Sequence, residues 1–456
     1  MMNLNKLTAI SSIDGRYNHI SQELSSYLSE YALIKYRILI EIEWFKSLSK
    51  VKGIKELPAL NKKDVNFLDS IYHDFSIHEA KKIKVIEKRT NHDVKAVEYY
   101  LRDKFNTNSK LRKRTEFIHF ACTSEDINNL AYSLMIKATC TKVLLPKIKE
   151  INILIKRKSH SYSKIPMLSR THGQAASPTT IGKELANFAY RINMILKNIS
   201  GNNLKGKFNG AVGNFNAHKA AYPELEWPKI TKNFIEKLGL KVSEYSTQVE
   251  DKDSLAELMS SYVRLNNILI DFSRDCWGYI SLGYFSQKLK KGEVGSSTMP
   301  HKVNPIDFEN AEGNLGISNA NFQHISNKVV ISRWQRDLSD STVLRNIGNC
   351  FALSLIAYES LLKGLIKLEI NKVKIKLDLE NCWELITEAI QTVMRKNNLP
   401  EGYELMKSFS RGKEINEKDI QNLIKGLDIP EIDKNTLLRL TPLKYIGLAD
   451  ILAKKI

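Results

Sequence analysis

The sequence predicts an all-α protein built around a long central helix bundle. Apolar residues recur at three- and four-residue spacing across residues 255–276, enough for about six helical turns. The run CFALSLIAYESLLKGLI, which begins at Cys350, is apolar over an arc wider than one neighbouring helix can cover. Alternation typical of strands is scarce. Such helices are buried in a bundle and against other subunits, so we expect a homo-oligomer.

Further helices of the bundle are expected on both sides of residues 255–276. A helical pattern covers residues 130–158, with a bend at Pro146. Ser177 and Pro178 fit the N-cap and first position of the next helix. The apolar stripe of that helix consists of Ile181, Leu185, Phe188, Ile192 and Ile195. A last long helix is expected over residues 347–368.

Two breaks in the helical pattern predict three helical domains. The polar stretch NTNSKLRKR ends an N-terminal domain of residues 1–112. The central bundle domain then covers residues 113–365. The C-terminal domain, residues 366–456, has shorter helices separated by polar turns such as GLDIPEIDKNTL, as expected of a small accessory domain.

The net charge of +19 over 456 residues raises nucleic-acid binding as an alternative function. The lysines are scattered along the whole length, without a basic tail or a motif that reads RNA or DNA. Solvated helix faces explain most of this charge, and we expect no nucleic-acid partner. A cleft lined with cations would attract anionic small molecules as well as nucleic acid.

The N-terminal sequence and the cysteines indicate a cytoplasmic protein. The opening MMNLNKLTAISSIDGRY lacks the apolar region of a signal peptide, and no apolar run reaches the length of a membrane span. The cysteines are odd in number, widely spaced and never in a CxxC pair: Cys122, Cys140, Cys276, Cys350 and Cys382. We therefore expect reduced thiols, no metal, no cofactor and no membrane partner.

The stretch GEVGSSTMPHKVNP, residues 292–305, predicts a loop that closes over an active site. Its glycines permit unusual backbone angles and its prolines interrupt any helix. Ser296 and Ser297 lie between them, and Lys302 and Asn304 add a cation and an amide close by. An ordinary surface loop has a similar composition, so the interpretation depends on the rest of the chain.

Three further clusters have the same polar character. RTHGQ places His172 beside a glycine, where the side chain can face a cleft and act as an acid or a base. TNHDVKAVEY places Asn91 and His92 at a helix start, where backbone N–H groups favour anions. CTSEDINN places Thr123 and Ser124 at another helix start, although a plain capping box would explain these two residues.

Other catalytic motifs are excluded by particular residues. GNNLKGKF has the glycine spacing of a phosphate-binding loop, but Phe208 stands where a metal-binding hydroxyl is needed. The chain contains no Gly-x-Ser-x-Gly elbow and no HExxH. The sequence therefore gives no support to a nucleotide triphosphatase, a serine hydrolase or a metal hydrolase.

GSSTMPHKVNP resembles the signature of the fumarase/aspartase superfamily, whose members are all-helical homotetramers that release fumarate by β-elimination. His301 is similar to the adenylosuccinate lyase branch and to a cycloisomerase branch. TNHDVKAVEY, FIHFACTSEDINN, RTHGQ, TQVE and SRWQRDLSDSTVLRN resemble the adenylosuccinate lyase branch in order along nearly the whole chain. One departure is Ala175, where that branch carries proline, and it affects the stiffness of the loop more than its chemistry.

The resemblance implies cleavage of adenylosuccinate to AMP and of succinyl aminoimidazole carboxamide ribotide to AICAR. It implies Ser296 as the general base and His172 as the general acid, although spacing alone also allows His92 as the acid. It further implies a homotetramer with each site shared between three subunits. The implied substrate-binding residues are Arg16, Tyr17, Asn91, His92, Asp93, Thr123, Ser124, Gln248, Ser297, Lys302, Val303, Asn304, Asn310, Arg336, Ser341, Thr342, Val343, Leu344 and Arg345.

Alternatives within the superfamily remain. The cycloisomerase branch shares the feature at His301 but lacks the full set of N-terminal motifs. Argininosuccinate lyase is disfavoured by His301 and by TNHDVKAVEY. A non-catalytic member, as some lens crystallins are, is disfavoured because Ser296 and His172 are both present.

Overall fold

A computed structural model describes residues 3, 5–288, 292, 299, 301–412 and 414–456. Ser296 and Ser297 lie outside the described residues. Helices make up most of the described part of the chain and strands are few, which confirms the predicted all-α fold. The strands form three two-stranded sheets.

The helices before residue 240 occur in the following order: α1 Asn18–Ser21, α2 Ser25–Leu28, α3 Glu30–Leu48, α4 Lys62–His73, α5 Ile77–Thr90, α6 Asp93–Asn106, α7 Ser124–Thr139, α8 Leu145–Ser161, α9 Ile181–Gly201, α10 Asn216–Ala221 and α11 Trp227–Lys237. Short 3₁₀ turns cover Gln22–Leu24 and Leu111–Phe117. The first four strands are β1 Pro166–Thr171, β2 Gln174–Thr180, β3 Lys205–Gly206 and β4 Lys241–Val242. β1 and β2 pair antiparallel, and β3 and β4 pair parallel.

The later helices are α12 Asp253–Ser281, α13 Ile306–Val329, α14 Ser339–Leu344, α15 Ile347–Lys367, α16 Lys372–Leu379, α17 Thr387–Lys396, α18 Gly402–Ser410, α19 Glu417–Gly426, α20 Glu431–Leu438 and α21 Ala449–Lys454. A 3₁₀ turn covers Trp383–Ile386. The strands β5 Phe285–Gln287 and β6 Leu368–Ile370 pair antiparallel. The long helices α12 and α15 and the short C-terminal helices confirm the sequence predictions for those regions.

The helix predicted over residues 130–158 is interrupted by a π-helical turn, Cys140–Leu144, between α7 and α8. The N–H of Leu145 donates to the carbonyl of Cys140, five residues earlier. Pro146 follows at once and has no N–H to donate, so the wider turn fits the place where the ladder loses a donor. The irregularity expected at Pro146 therefore lies just before it.

The prediction of a helix start at Ser177 and Pro178 is wrong, because both residues lie in β2. The helix begins at Ile181, and the Thr180 hydroxyl accepts the N–H of Lys183 at 3.1 Å in the manner of an N-cap. Ser177 and Pro178 fit a strand as well as a helix cap. What makes this segment a strand is its pairing with β1, which lies upstream in the sequence. The predicted apolar stripe of α9 is correct, since all five of its residues are buried.

The helical stretch Ser339–Lys367 is long and apolar enough to cross a membrane by length and composition alone. Because 78% of its apolar window is buried inside the protein, it has the character of a core helix. That burial agrees with the wide apolar arc seen in the sequence.

The chain divides into two compact units. The first contains residues 1–147, 195–267 and 314–357. Its core includes Trp44, which is fully buried and whose ring packs on Phe208 and Phe234 at centroid distances of 4.5 and 5.1 Å. The predicted division into three sequential domains stays a prediction.

The second unit contains residues 148–194, 268–313 and 358–456. Its C-terminal part has an apolar core of its own, in which Ile390, Ile420 and Ile424 are almost fully buried. A smaller cluster joins Leu168 of β1 to Leu379 of α16 and to Leu385. The hairpin of β1 and β2 is therefore packed on the C-terminal helices.

Candidate active site

A cleft of about 510 Å³ in the first unit collects residues from segments that lie far apart in the sequence. The lining residues that the resemblance implied are Asn91, His92, Asp93, Thr123, Ser124, Gln248, Arg336, Ser341 and Arg345. The other described lining residues are Arg37, Glu87, Glu125, Asn128, Tyr132 and Leu338. The structure thus brings most of the implied binding residues of this unit into one place.

Asn91 and His92 form the link between α5 and α6 at the edge of the cleft. Asn91 ends α5 in the left-handed region with φ 51°, a conformation that asparagine tolerates well. His92 then caps α6, because its Nδ1 accepts the N–H of Lys95 at 3.2 Å. A neutral imidazole that accepts at Nδ1 carries its proton on Nε2. The half-exposed His92 can therefore donate a hydrogen bond into the cleft.

Asp93 holds two arginines at the wall of the cleft. Its Oδ2 lies 2.7 Å from Nη2 of Arg37 and 3.3 Å from Nη2 of Arg345. Arg37 is almost fully buried, and its Nε also donates to Oδ1 of Asn128 at 2.9 Å. Burial raises the pKa of Asp93, but Arg37 and the N–H of Val94 outweigh it and hold the pKa below its usual range. Asp93 is therefore an ionised anchor for Arg345.

A second charged group surrounds Arg336. Its Nη1 lies 3.3 Å from Glu125 Oε2 and 3.3 Å from Asp340 Oδ2, and its Nη2 donates to the hydroxyl of Ser341 at 3.1 Å. Lys252 approaches the same two carboxylates at 3.4 and 3.0 Å and is almost fully buried. Burial lowers the pKa of Lys252, but Glu125 and Asp340 outweigh it and raise the pKa above its usual value. The network fixes Arg336 by ionic contacts on one side.

For Thr123 and Ser124, at the start of α7, the sequence allowed either a capping box or a place at a ligand site. The structure shows the capping box and also places both residues in the cleft. The N–H of Thr123 donates to Asp126 Oδ2 at 2.9 Å, which completes a capping box. Asp126 is itself fixed by a fully buried ion pair of 2.8 Å with Lys207. Both hydroxyl residues also line the cleft. The cap therefore holds them where they can contact a ligand.

The remaining implied residues of this unit differ in their placement. Gln248 lines the cleft, and its Nε2 donates to the carbonyl of Ala211 at 3.0 Å. Arg16 is exposed, and its guanidinium lies 5.9 Å from the ring centroid of Tyr17. Leu344 is buried, so a ligand could meet only its backbone. The described lining of the cleft does not include Arg16, Tyr17, Thr342, Val343 or Leu344.

His172 belongs to the second unit, at the turn between β1 and β2. Thr171 pairs with Gln174, which leaves His172 and Gly173 as the two central residues of the turn. Both have positive φ, 52° and 77°, as in the type I′ turns that favour two-residue hairpins. His172 is exposed, so its imidazole is free to meet a ligand at the tip of the hairpin.

The described end of the signature loop also belongs to the second unit. Lys302 is exposed and its N–H donates to the carbonyl of Met299 at 3.0 Å. Val303 and Asn304 are partly buried ahead of α13. Asn310, in α13, accepts the hydroxyl of Ser360 at 2.7 Å. The roles implied for Ser296 and Ser297 fall outside the described residues and stay predictions.

Several charged residues of the site were missed from the sequence. Arg37 and Glu41 are four residues apart on the buried face of α3, which is otherwise apolar, and this was a usable signal because unpaired charges are costly to bury. Glu125 was read as part of a capping box. Lys252 and Asp340 lie 88 positions apart and carry no local pattern that would pair them. The other four residues, Glu41, Glu125, Lys252 and Asp340, support cleft residues or the fold around them.

Metal chemistry has no candidate ligands within the described residues, since no group of three or more His, Cys, Asp or Glu side chains is placed to hold an ion. All five cysteines are free. Burial raises the pKa of the Cys122 thiol beside the cleft. The chemistry that the described cleft offers is therefore capture of anionic groups by arginines, hydroxyls and an imidazole.

Comparisons with known proteins identify relatives along the whole chain. Residues 15–317 match the family model described as Lyase, and residues 332–446 match Adenylosuccinate lyase C-terminal. The chain is 55% identical to an adenylosuccinate lyase of Legionella pneumophila (strain Corby) over 453 residues, which is 99% of each chain. It is 50% identical to an adenylosuccinate lyase of Escherichia coli (strain K12) over 448 residues, 98% of each.

Two solved structures share the fold at much lower identity. A fumarate lyase from Mesorhizobium sp. BNC1 aligns with a TM-score of 0.75 at 16% identity, covering 95% of this chain and 96% of that one. A beta-carboxy-cis,cis-muconate cycloisomerase from Acinetobacter calcoaceticus sp. ADP1 aligns with a TM-score of 0.69 at 14% identity and the same coverage. These two likenesses confirm the fold.

Proposed function

Because the chain belongs to the adenylosuccinate lyase family and is a lyase, we propose that it releases fumarate from two purine precursors by β-elimination. Adenylosuccinate would give AMP, and succinyl aminoimidazole carboxamide ribotide would give AICAR. The observation that carries the proposal is the full-length identity to adenylosuccinate lyases, together with a cleft whose arginines suit a phosphate and carboxylates. A cytoplasmic location is part of the same proposal.

The reaction needs one base, one acid and fixed cations. The base removes a proton from the carbon beside a carboxylate, the C–N electron pair leaves with the nitrogen, and the acid protonates that nitrogen. We assign the base to Ser296 and the acid to His172. Negative charge builds on the carboxylate in a carbanion-like state, so cations aimed at it lower the barrier. Arg336 and Arg345, both held by carboxylates on their other side, suit that task or capture of the phosphate.

A serine hydroxyl is a poor base at neutral pH, so its use requires activation. We assign this activation to Lys302 and to backbone N–H groups of the loop, which would stabilise the alkoxide once water is excluded. The assignment is supported by the six-residue separation of Ser296 and Lys302 in the sequence and by the exposure of Lys302. His92, with its proton on Nε2, would donate to the phosphate or assist His172.

We further propose a homotetramer in which each active site is shared between subunits. Support comes from exposed large apolar residues on the long helices, such as Tyr190 at 57%, Trp277 at 48% and Ile317 at 57% exposure. Gel filtration with an activity assay on each fraction tests this assembly. Activity that elutes at the size of a monomer would contradict shared sites.

The function is tested by ultraviolet monitoring of the purified protein with adenylosuccinate, with fumarate assayed as the product. Argininosuccinate and carboxymuconate are run beside it under the same conditions. Loss of adenylosuccinate with matching fumarate supports the proposal. Turnover of carboxymuconate in its place would assign the chain to the cycloisomerase branch.

A further inference from the structure

We propose that Asp378 and Glu388 are positioning residues for the general acid, because they hold the two strands of the hairpin whose turn carries His172. The inference rests on the proposed role of His172. Both carboxylates come from helices that follow the bundle in sequence, α16 and α17. Neither residue is among those that the sequence assigned to the site.

The turn of this hairpin needs external support. A residue other than glycine is disfavoured in the left-handed region, and His172 adopts φ 52° there. Such backbone conformations persist where the surrounding structure determines them. Thr171 and Gln174 form the last pair before the turn, so the position of the imidazole depends on where the two strands are held.

β1 is held through Arg170, two residues before His172. The Arg170 guanidinium forms an ion pair with Asp378, and the hydroxyl of Tyr284 donates to the same carboxylate oxygen. Tyr284 is almost fully buried; burial and Asp378 raise its pKa to about 12, so the hydroxyl stays a donor. Asp378 therefore joins β1 to a buried side chain of its own unit.

Packing alone leaves this strand open on one side. Arg170, Thr171 and Tyr284 line a cleft of about 600 Å³ within the second unit, so solvent reaches part of β1 there. Leu168 anchors β1 by its contacts with Leu379 and Leu385, but it lies four residues before His172. The segment nearest the turn depends on the ion pair of Arg170.

β2 is held in the same way three residues after the turn-closing Gln174. The Ser177 hydroxyl donates to Oε2 of Glu388, and the hydroxyl of Tyr445 donates to the same oxygen at 2.9 Å. Each strand of the hairpin thus meets one carboxylate that is also bound by a tyrosine. These two carboxylate contacts, one on each strand, restrict rotation of the turn as well as its translation.

The first experiment compares Asp378→Asn with the parent in steady-state cleavage of adenylosuccinate. Because misplacement of a catalytic group by about 1 Å can cost 10²-fold, we expect kcat to fall by roughly 10- to 100-fold with KM within about twofold. Asp378→Glu, which keeps the charge, is expected to recover part of kcat. The matched control is Glu380→Gln, which removes a carboxylate of the same segment whose ion pair among the described residues is with Lys376 of α16, at 3.6 Å. The control is expected to keep the parental kcat.

A second readout needs no activity. Hydrogen exchange of the backbone amides of residues 169–177 is expected to be faster in Asp378→Asn and in Ser177→Ala than in the parent and in Glu380→Gln. If Asp378→Asn does not fold, Ser177→Ala and Tyr445→Phe carry the test: a lower kcat at constant KM supports the inference. Parental kcat in these milder variants would overturn it.

A folded Asp378→Asn with parental kcat and parental exchange of the hairpin also overturns the inference. Failure of the proposed function gives a different result, since the parent itself would then release no fumarate from adenylosuccinate. In that case faster exchange in Asp378→Asn would still support the structural part, and unchanged exchange would reject it.

Discussion

Arg37 and Asp93 form an ion pair of 2.7 Å in which the arginine side chain is only 2% exposed. The same carboxylate oxygen lies 3.3 Å from Arg345, whose side chain is 52% exposed. Asp93 therefore connects a buried arginine, fixed by Asn128, to an arginine at the mouth of the cleft. This arrangement orients Arg345 before a ligand arrives, which reduces the entropy that binding must overcome.

Replacing Asp93 by asparagine is expected to weaken both substrate binding and the fold. Removing one partner of a buried ion pair costs about 3–5 kcal/mol, because the other charge stays buried without compensation. We expect a lower urea midpoint and a higher KM for adenylosuccinate. Asp69→Asn is the control, since its partner Lys46 keeps a second carboxylate, Glu43. Parental KM and stability for Asp93→Asn would contradict the role of this residue.

Lys252→Met is expected to destabilise the protein and to raise KM. Methionine has a similar shape but leaves the buried carboxylates of Glu125 and Asp340 without their lysine, and Arg336 would be drawn toward them. Urea unfolding and steady-state kinetics measure the two effects. Asp340→Asn added to Lys252→Met removes one of the uncompensated charges and is expected to recover part of the stability.

The matched control for Lys252 is Lys82→Met, which breaks a surface ion pair with Glu79 in which the lysine is 52% exposed. Exposed pairs of this kind contribute at most about 1 kcal/mol, so we expect little change. Equal effects of the two substitutions on the urea midpoint would count against the network around Arg336.

Stability is expected to decline as pH rises through the neutral range because of Glu250. Burial, followed by the neighbouring Asp251, raises the pKa of Glu250 from 4.5 to about 8. Between these two values the folded state holds one proton more than the unfolded state at this site, so the free energy of unfolding falls with increasing pH. Glu250→Gln cannot titrate, and its thermal midpoint should decline less than that of the parent between pH 4.5 and pH 8.

The exposed Glu244 provides a control of equal charge for this experiment. Glu244→Gln is expected to follow the parental dependence of the thermal midpoint on pH. A Glu250→Gln variant with the same slope as the parent would show that this carboxyl is ionised in the folded protein.

The activation proposed for Ser296 predicts that Lys302→Met lowers kcat substantially, whereas Lys302→Arg keeps a fixed cation and retains part of it. Fumarate release under saturating substrate is the measurement. The activation account is wrong if Lys302→Met turns over almost as fast as the parent while Ser296→Ala is inactive.

Local patterns predicted the long helices and part of the described cleft lining, whereas Gln248, Arg336, Ser341 and Arg345 were implied by the family resemblance. Helical spacing identified α12 and α15, and short polar clusters at helix starts identified Asn91, His92 and Thr123. These residues lie where a chain leaves one helix and enters another, a position that polar side chains mark clearly.

The parts that the sequence did not predict depend on partners far along the chain. Strand β2 was taken for a helix start because Ser177 and Pro178 also suit a cap, and its partner strand gave no alternation. Arg37 pairs with Asp93 across 56 positions, and Arg170 pairs with Asp378 across 208. Periodicity within a window carries no information on contacts of that range.

The central claim is that His172 and Ser296 are the acid and the base of a fumarate-releasing elimination. The most direct test is the rate of fumarate release from adenylosuccinate by the parent, His172→Ala and Ser296→Ala, each checked for an intact assembly. The account predicts a fall of about 10²- to 10⁴-fold for each variant, the usual contribution of general acid–base catalysis. A rate close to that of the parent in either variant would contradict it.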